Sequence, residues 1–132
     1  MDTSRAKILV VEDDANLSRA TALRLKAAGF EAIVARDAYQ AVKYARQEKP
    51  ALVILDVRMP AGDGLHVHEH LNQFSDFMTP IIYLTGHASN ADEAKARELG
   101  ALAYLRKPVD FDELIAKIRA QLGIEVSPGQ ES

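Results

Sequence analysis

Cysteine is absent from the chain. Disulfide staples and thiolate metal sites are therefore excluded, and a reducing compartment is compatible with the composition. No apolar run approaches the ~20 residues of a membrane span, and the stretch from Met1 to Lys7 is polar where a secretory leader needs a hydrophobic centre. An excess of positive charge is also missing: the formal net charge is -3, which gives no electrostatic case for direct binding to nucleic acid or an anionic membrane. Repeats and low-complexity segments are not found. The 132 residues suffice for one domain with a respectable core but not for two. A soluble cytoplasmic domain is the expectation.

What is present is an alternation. Five short apolar runs recur: Ile8 to Val11, Ala32 to Ala35, Leu52 to Leu55, Ile81 to Leu84, and Ala101 to Leu105. Segments of helical length separate them, so the pattern predicts parallel strands with crossover helices on both faces. Strands buried on both sides appear as runs rather than as alternating residues. The first helix is expected after Asp14, with Leu17, Thr21, Leu25 and Ala28 inward and Gly29 as its terminator. The second runs from about Ala38 to Glu48 over Ala41, Val42 and Ala45, and Pro50 stops it. The third follows Gly64 through Leu65, Val67 and Leu71. The fourth, about Asn90 to Leu99, offers mainly Ala91 and Ala94 to the core, a weak anchor. The fifth is capped by Asp110 with Glu113 and buries Leu114, Ile115, Ile118 and Leu122 before Gly123. Residues 6–122 form the expected domain, and 123–132 a flexible tail or truncated linker.

The carboxyl ends of parallel strands gather ligands, and here they gather Glu12, Asp13 and Asp14, then Asp56, Thr85 with Gly86, and Lys107 with Pro108. Two unit charges ~4 Å apart repel by about 4 kcal/mol at an effective dielectric of ~20, so converging carboxylates share a proton or hold a cation. An open all-oxygen site suits Mg²⁺, with Mn²⁺ as a substitute, completed by a phosphate oxygen. A hydroxyl and an ammonium then serve the other sides of a phosphoryl group. Aspartate is a competent nucleophile at phosphorus, so Asp56 is the predicted acceptor. Asp14 is assigned to a helix cap or a solvated charge rather than to the site. His66, His68 and His70 suggest a metal site by spacing but lack a third ligand, and are assigned to a solvated helix face. Arg5, Lys7, Arg24 and Lys26 are assigned to ordinary surface charge.

The runs Ile8 to Asp14 (ILVVEDD), Leu55 to Pro60 (LDVRMP) with Asp63 and Gly64, Tyr83 to Gly86 (YLTG), and Leu105 to Pro108 (LRKP) together resemble the receiver domain of two-component response regulators. The resemblance implies a doubly wound, five-stranded parallel sheet of order 2-1-3-4-5 flanked by five helices, as in CheY-like proteins. It implies that Asp56 takes a phosphoryl group from a sensor histidine kinase or a histidine phosphotransfer protein. Asp13, Asp56 and the Arg58 backbone carbonyl would bind Mg²⁺, Glu12 through water, while Thr85 and Lys107 would contact the phosphoryl oxygens. Tyr104 falls at the family's switch aromatic. The face of helix 4, strand 5 and helix 5 would engage an output domain or protein, and a phosphorylation-dependent dimer is compatible with it, as is a monomer. The Lys107–Pro108 peptide is often cis in this family. Asn16, Leu17 and Ala20 are the implied kinase-docking residues. Arg58 and His87 stand where side chains tune phosphate lifetime. The domain is thus expected to be a signalling acceptor with its own phosphorylation and dephosphorylation chemistry, not an enzyme.

Three rivals stand beside this reading. A Mg²⁺-dependent aspartyl-phosphate phosphatase wants a second Asp two residues after the nucleophile, where Arg58 stands. A flavodoxin-like cofactor binder wants a small-residue phosphate loop where Glu12, Asp13 and Asp14 stand. A phosphorylation-independent scaffold would have no need of the full set of site residues.

Overall fold

The computed structural model describes residues 5–59, 62–86 and 89–123. Strands and helices alternate throughout: β1 (Lys7–Val11), α1 (Ala15–Ala27), β2 (Glu31–Ala35), α2 (Ala38–Glu48), β3 (Leu52–Leu55), α3 (Gly64–Asn72), β4 (Ile81–Thr85), α4 (Asn90–Glu98), β5 (Ala103–Arg106) and α5 (Phe111–Leu122). All strand pairings are parallel, and the sheet order is β2-β1-β3-β4-β5. The order reverses between β1 and β3, which opens a crevice at the strand ends there.

Side-chain alternation along each strand divides the apolar residues between two layers. Leu9, Val11, Val53, Leu55, Ile81 and Tyr83 pack toward α2, α3 and α4, with Ala41, Val67, Leu71 and Ala96. Ile8, Val10, Leu52, Ile54, Ile82 and Leu84 pack toward α1 and α5, with Leu25, Leu114, Ile115 and Ile118. Among the described residues no helix is long and apolar enough to cross a membrane.

Helix starts follow the capping signals. Asp14 accepts the amide N–H groups of Asn16 and Leu17, Asp63 that of His66, and Asp110 that of Glu113, which satisfies amides that a first turn leaves bare. Beyond α1, Gly29 stands at φ 98°, a left-handed turn that glycine enters without a Cβ penalty. The Lys107–Pro108 peptide is cis.

Three sequence expectations need correction. The fifth strand begins at Ala103, because Ala101 and Leu102 form the turn that returns to Ile81, where the Leu102 amide donates to its carbonyl at 2.8 Å. In α4 the buried residue is Ala96, while Ala91 and Ala94 face outward. His68 is buried, its Nδ1 lying 2.9 Å from the Tyr83 hydroxyl; only His66 and His70 belong to the exposed face. Of the segment 123–132 read as tail or linker, Gly123 is the left-handed cap of α5 at φ 72°, and 124–132 lie outside the described residues.

Candidate functional site

The central strand delivers its carboxylate where the sequence placed it. All four residues of β3 are buried, and the Asp56 amide continues the ladder by donating to the Val11 carbonyl at 3.1 Å. One strand over, Glu12 donates its amide to Ala35 at 3.0 Å. Glu12 and Asp56 are each only 4% exposed, and one carboxylate oxygen from each of Glu12, Asp13 and Asp56 falls within a 4.8 Å cluster. From the far side, Lys107 is set by its backbone N–H, which donates to the Thr85 carbonyl at 2.9 Å. Its ammonium reaches Glu12 Oε1 at 2.8 Å and Asp56 Oδ2 at 3.1 Å.

The remaining oxygens have backbone partners. The Arg58 amide donates to Asp56 Oδ1 at 3.2 Å, and the Asp14 amide to Glu12 Oε2 at 3.1 Å. Gly64 closes the floor: its amide bonds the Val57 carbonyl at 2.8 Å, and a Cβ there would lie 2.2 Å from the Asp56 carbonyl oxygen. Only glycine allows α3 to start so close to Asp56. The cleft above has a volume of about 780 Å³ and is bordered by Glu12, Asp13, Asp56, Met59, His66 and Lys107, among others.

Three carboxylates face one ammonium, so the cluster keeps an excess of negative charge. Burial pushes the Glu12 carboxyl above its ordinary 4.5, although Lys107 and the Asp14 amide work against the shift. Burial alone would lower the Lys107 ammonium, but the Glu12 hydrogen bond and the Asp56 and Glu12 charges outweigh it and raise the group above 10.5. Oxygen donors with uncompensated charge in an open cleft fit a hard divalent cation.

Of the other residues singled out from sequence, Thr85 is fully buried at the end of β4, next to Gly86 at the cleft wall. Tyr104 is 8% exposed and stacks on Tyr83 with ring centroids 5.7 Å apart. Burial, then the nearby Asp92 and Glu93 charges, raise its hydroxyl pKa. The Arg58 side chain borders the cleft and pairs with Asp92 in the first turn of α4 at 3.2 Å. Asn16 is exposed on α1, with Leu17 and Ala20 half-buried beside it. His87 lies outside the described residues. Two partnerships escaped sequence reasoning, Arg58 with Asp92 and His68 with Tyr83. The second had a signal: Gly64, Val67, His68 and Leu71 share the i, i+3, i+4, i+7 spacing of a buried stripe.

Comparison with known proteins agrees with this geometry. The family described as "Response regulator receiver domain" matches residues 8–119. The DNA-binding response regulator MtrA of Mycobacterium tuberculosis is 38% identical over 122 residues, which are 92% of this chain and 53% of that protein. A probable transcriptional regulator, ycf27 of Porphyra purpurea, is 41% identical over 122 residues, 92% of this chain and 49% of that one. The chain thus spans about half the length of these relatives. In three dimensions it resembles a CheY-like response regulator receiver domain protein from Methanospirillum hungatei, with a TM-score of 0.86 at 28% identity over 91% of this chain and 95% of that one. By sequence match and by fold, the chain belongs to the response regulator receiver family of two-component signal transduction.

Proposed function

We propose that Asp56 is the phospho-acceptor and that the domain converts a phosphoryl group received from a histidine into a change at the face formed by α4, β5 and α5. The observation that supports this best is the buried Asp56 carboxylate held at 3.1 Å by the Lys107 ammonium in a cleft shared with Glu12 and Asp13. The donor is a sensor histidine kinase or a histidine phosphotransfer protein in the cytoplasm, docking near Asn16, Leu17 and Ala20.

In the transfer, an Asp56 carboxylate oxygen forms a bond to phosphorus while the bond from phosphorus to the donor imidazole nitrogen breaks. The electron pair stays on that nitrogen, and the imidazole leaves neutral. Asp13, Asp56 and the Arg58 carbonyl would hold Mg²⁺, with Glu12 acting through water; when bound, it supplies charge neutralisation and in-line alignment. Lys107 then pairs with the phosphoryl oxygens, and its hold on both Glu12 and Asp56 keeps it at hand beforehand. Thr85 donates its hydroxyl to the same group. Tyr104, stacked on Tyr83 in β4, passes the change at Thr85 toward α4. Arg58 and His87 shape water access to the acyl phosphate and so its lifetime. The receiver unit takes in residues 6–122, with 123–132 as tail or linker. The names of MtrA and ycf27 point to transcription as the output class.

Incubation with acetyl phosphate and Mg²⁺, followed by intact mass, tests the reading. The wild type is expected to gain one phosphoryl group and Asp56→Asn none. A wild type that takes up none would favour the scaffold and overturn it.

A further inference from the structure

The helix α4 is lightly anchored, with Ala96 its single buried residue of nine. Its first turn is nevertheless tied from two directions. From β5, Arg106 reaches Glu93 at 3.4 Å, a carboxylate that also takes Arg97 at 2.8 Å. From the loop after β3, the Arg58 guanidinium donates to Asp92 Oδ2 at 3.2 Å. Arg58 is also the residue whose amide rests on Asp56 Oδ1 at 3.2 Å. One residue therefore touches the acceptor carboxylate with its main chain and the start of α4 with its side chain.

We propose that the Arg58–Asp92 pair is a charge-operated strap between the acceptor and α4. With Asp56 unmodified, the guanidinium rests on Asp92. A phosphoryl group on Asp56 competes for it, the strap opens, and the first turn of α4 loses one of its two ties. This rests on the phospho-acceptor reading above. No covalent bond changes in the strap itself.

Three observations favour the exchange. A phosphoryl group brings about 1.5 to 2 negative charges against the single charge of Asp92, and its oxygens match the planar guanidinium fork. Arg58 borders the cleft that contains Asp56, and its side chain is 54% exposed, so the guanidinium swings through solvent rather than through packed protein. The vacated Asp92 remains in the first turn of α4, with its amide on Ser89 Oγ at 3.3 Å, where a carboxylate is favoured by the helix dipole. Asp92 is then a positioning residue, acting on the acceptor through Arg58.

The test compares initial rates of acetyl phosphate uptake, read by intact mass, for wild type, Asp92→Asn, Arg58→Gln, the double variant and Glu93→Gln. Freeing Arg58 offers the incoming anion a cation, so Asp92→Asn is expected to react about two- to fivefold faster, the range set by an exposed ion pair. The gain should vanish when Arg58 is also replaced. It should not appear in Glu93→Gln, which removes the same charge from the same turn but leaves the strap closed. In amide spectra, α4 of unmodified Asp92→Asn should lie part of the way toward the beryllofluoride-bound wild type. An unchanged Asp92→Asn rate, a gain that survives without Arg58, an equal gain in Glu93→Gln, or α4 shifts confined to the neighbours of residue 92 would each overturn the strap. Wild type that takes up no phosphoryl group would overturn the acceptor reading and the strap with it; normal uptake with an indifferent Asp92→Asn overturns the strap alone.

Discussion

Replacing Lys107 by methionine keeps most of the side-chain volume and removes the ammonium bonded to both Glu12 and Asp56. The cost can be worked in two ways. If both carboxylates stay charged, oxygens up to 4.8 Å apart repel by about 3.5 kcal/mol at an effective dielectric of ~20. If Glu12 instead takes a proton at pH 7, starting from its ordinary 4.5, the cost is about 3.4 kcal/mol, and less to the extent that burial has already raised the group. The two routes converge on about 3.5 kcal/mol at neutral pH, which solvent in the open cleft reduces toward about 2 kcal/mol. The sign with pH follows from linkage. Glu12 in the variant titrates above its unfolded value, so the folded state binds the extra proton in that interval and recovers stability as pH falls toward 4.5. In the wild type, the Lys107 contribution is complete below 10.5 and is lost only as pH rises through its raised folded value. Urea unfolding at pH 7.5 and pH 5 measures both: the gap between the proteins should be about 2–3 kcal/mol at the first pH and much smaller at the second. Added Mg²⁺ should stabilise the variant more than the wild type at pH 7.5, because it meets carboxylates without a competing ammonium. A gap below about 0.5 kcal/mol at both pH values, or one that does not depend on pH, would refute the reasoning.

Other substitutions probe the frame around the site. Gly64→Ala puts a Cβ 2.2 Å from the Asp56 carbonyl oxygen, so the strand end must shift; a loss of about 2–3 kcal/mol in thermal unfolding, together with slower phosphoryl uptake, is expected, and an unshifted melting temperature would count against the close approach. Burial holds His68 below its ordinary 6.5, so its contribution is complete above that pH and is lost as pH falls through the lower folded value; His68→Phe should flatten the acid side of the stability curve by up to about 1.4 kcal/mol per pH unit. Tyr83→Phe removes the partner 2.9 Å from His68 Nδ1 and should cost about 1–2 kcal/mol by denaturant unfolding. Lys49 ends α2 at φ 48°. Lys49→Gly should relieve about 1–2 kcal/mol of left-handed strain against about 0.5–1 kcal/mol of extra chain entropy, a net gain visible as a higher melting temperature.

Local chemistry was legible in the sequence wherever a residue acts on its own neighbourhood. Asp14 and Asp110 cap the helices they precede, Gly29 turns the chain beyond α1, and the runs in β1, β3 and β4 are buried as uninterrupted apolar residues should be. The convergence of Glu12, Asp13, Asp56 and Lys107 was legible as well, because parallel strands bring their carboxyl ends to one edge whatever the intervening helices contain. The inward side of α4 was not: among alanines of equal hydrophobicity, periodicity has no contrast to follow, and Ala96 was chosen by the turn at Ala101 and Leu102 rather than by its own chemistry. The Arg58–Asp92 pair joins residues 34 apart, and one exposed arginine among the chain's 16 basic residues carries no local sign of its partner.

The two layers of the core differ in kind. The one beneath α1 and α5 is aliphatic apart from Phe30, and the buried hydroxyls of Ser18 and Thr21 beside it donate to carbonyls of their own helix, Ala15 and Leu17. Arg24 crosses its outer edge to Asp112 at 3.1 Å and lies over the Phe111 ring, while Arg119 closes the last turn of α1 through the Ala28 carbonyl. The opposite layer contains Tyr83 and Tyr104, whose hydroxyls have to keep polar company when anything nearby moves. On the proposed reading one half of the molecule serves as a bearing and the other as the moving part. On that reading, a protein that grips the α1–α5 side would stay attached through a whole signalling cycle, whereas one that grips α4 would be traded for another each time Asp56 gains or loses a phosphoryl group.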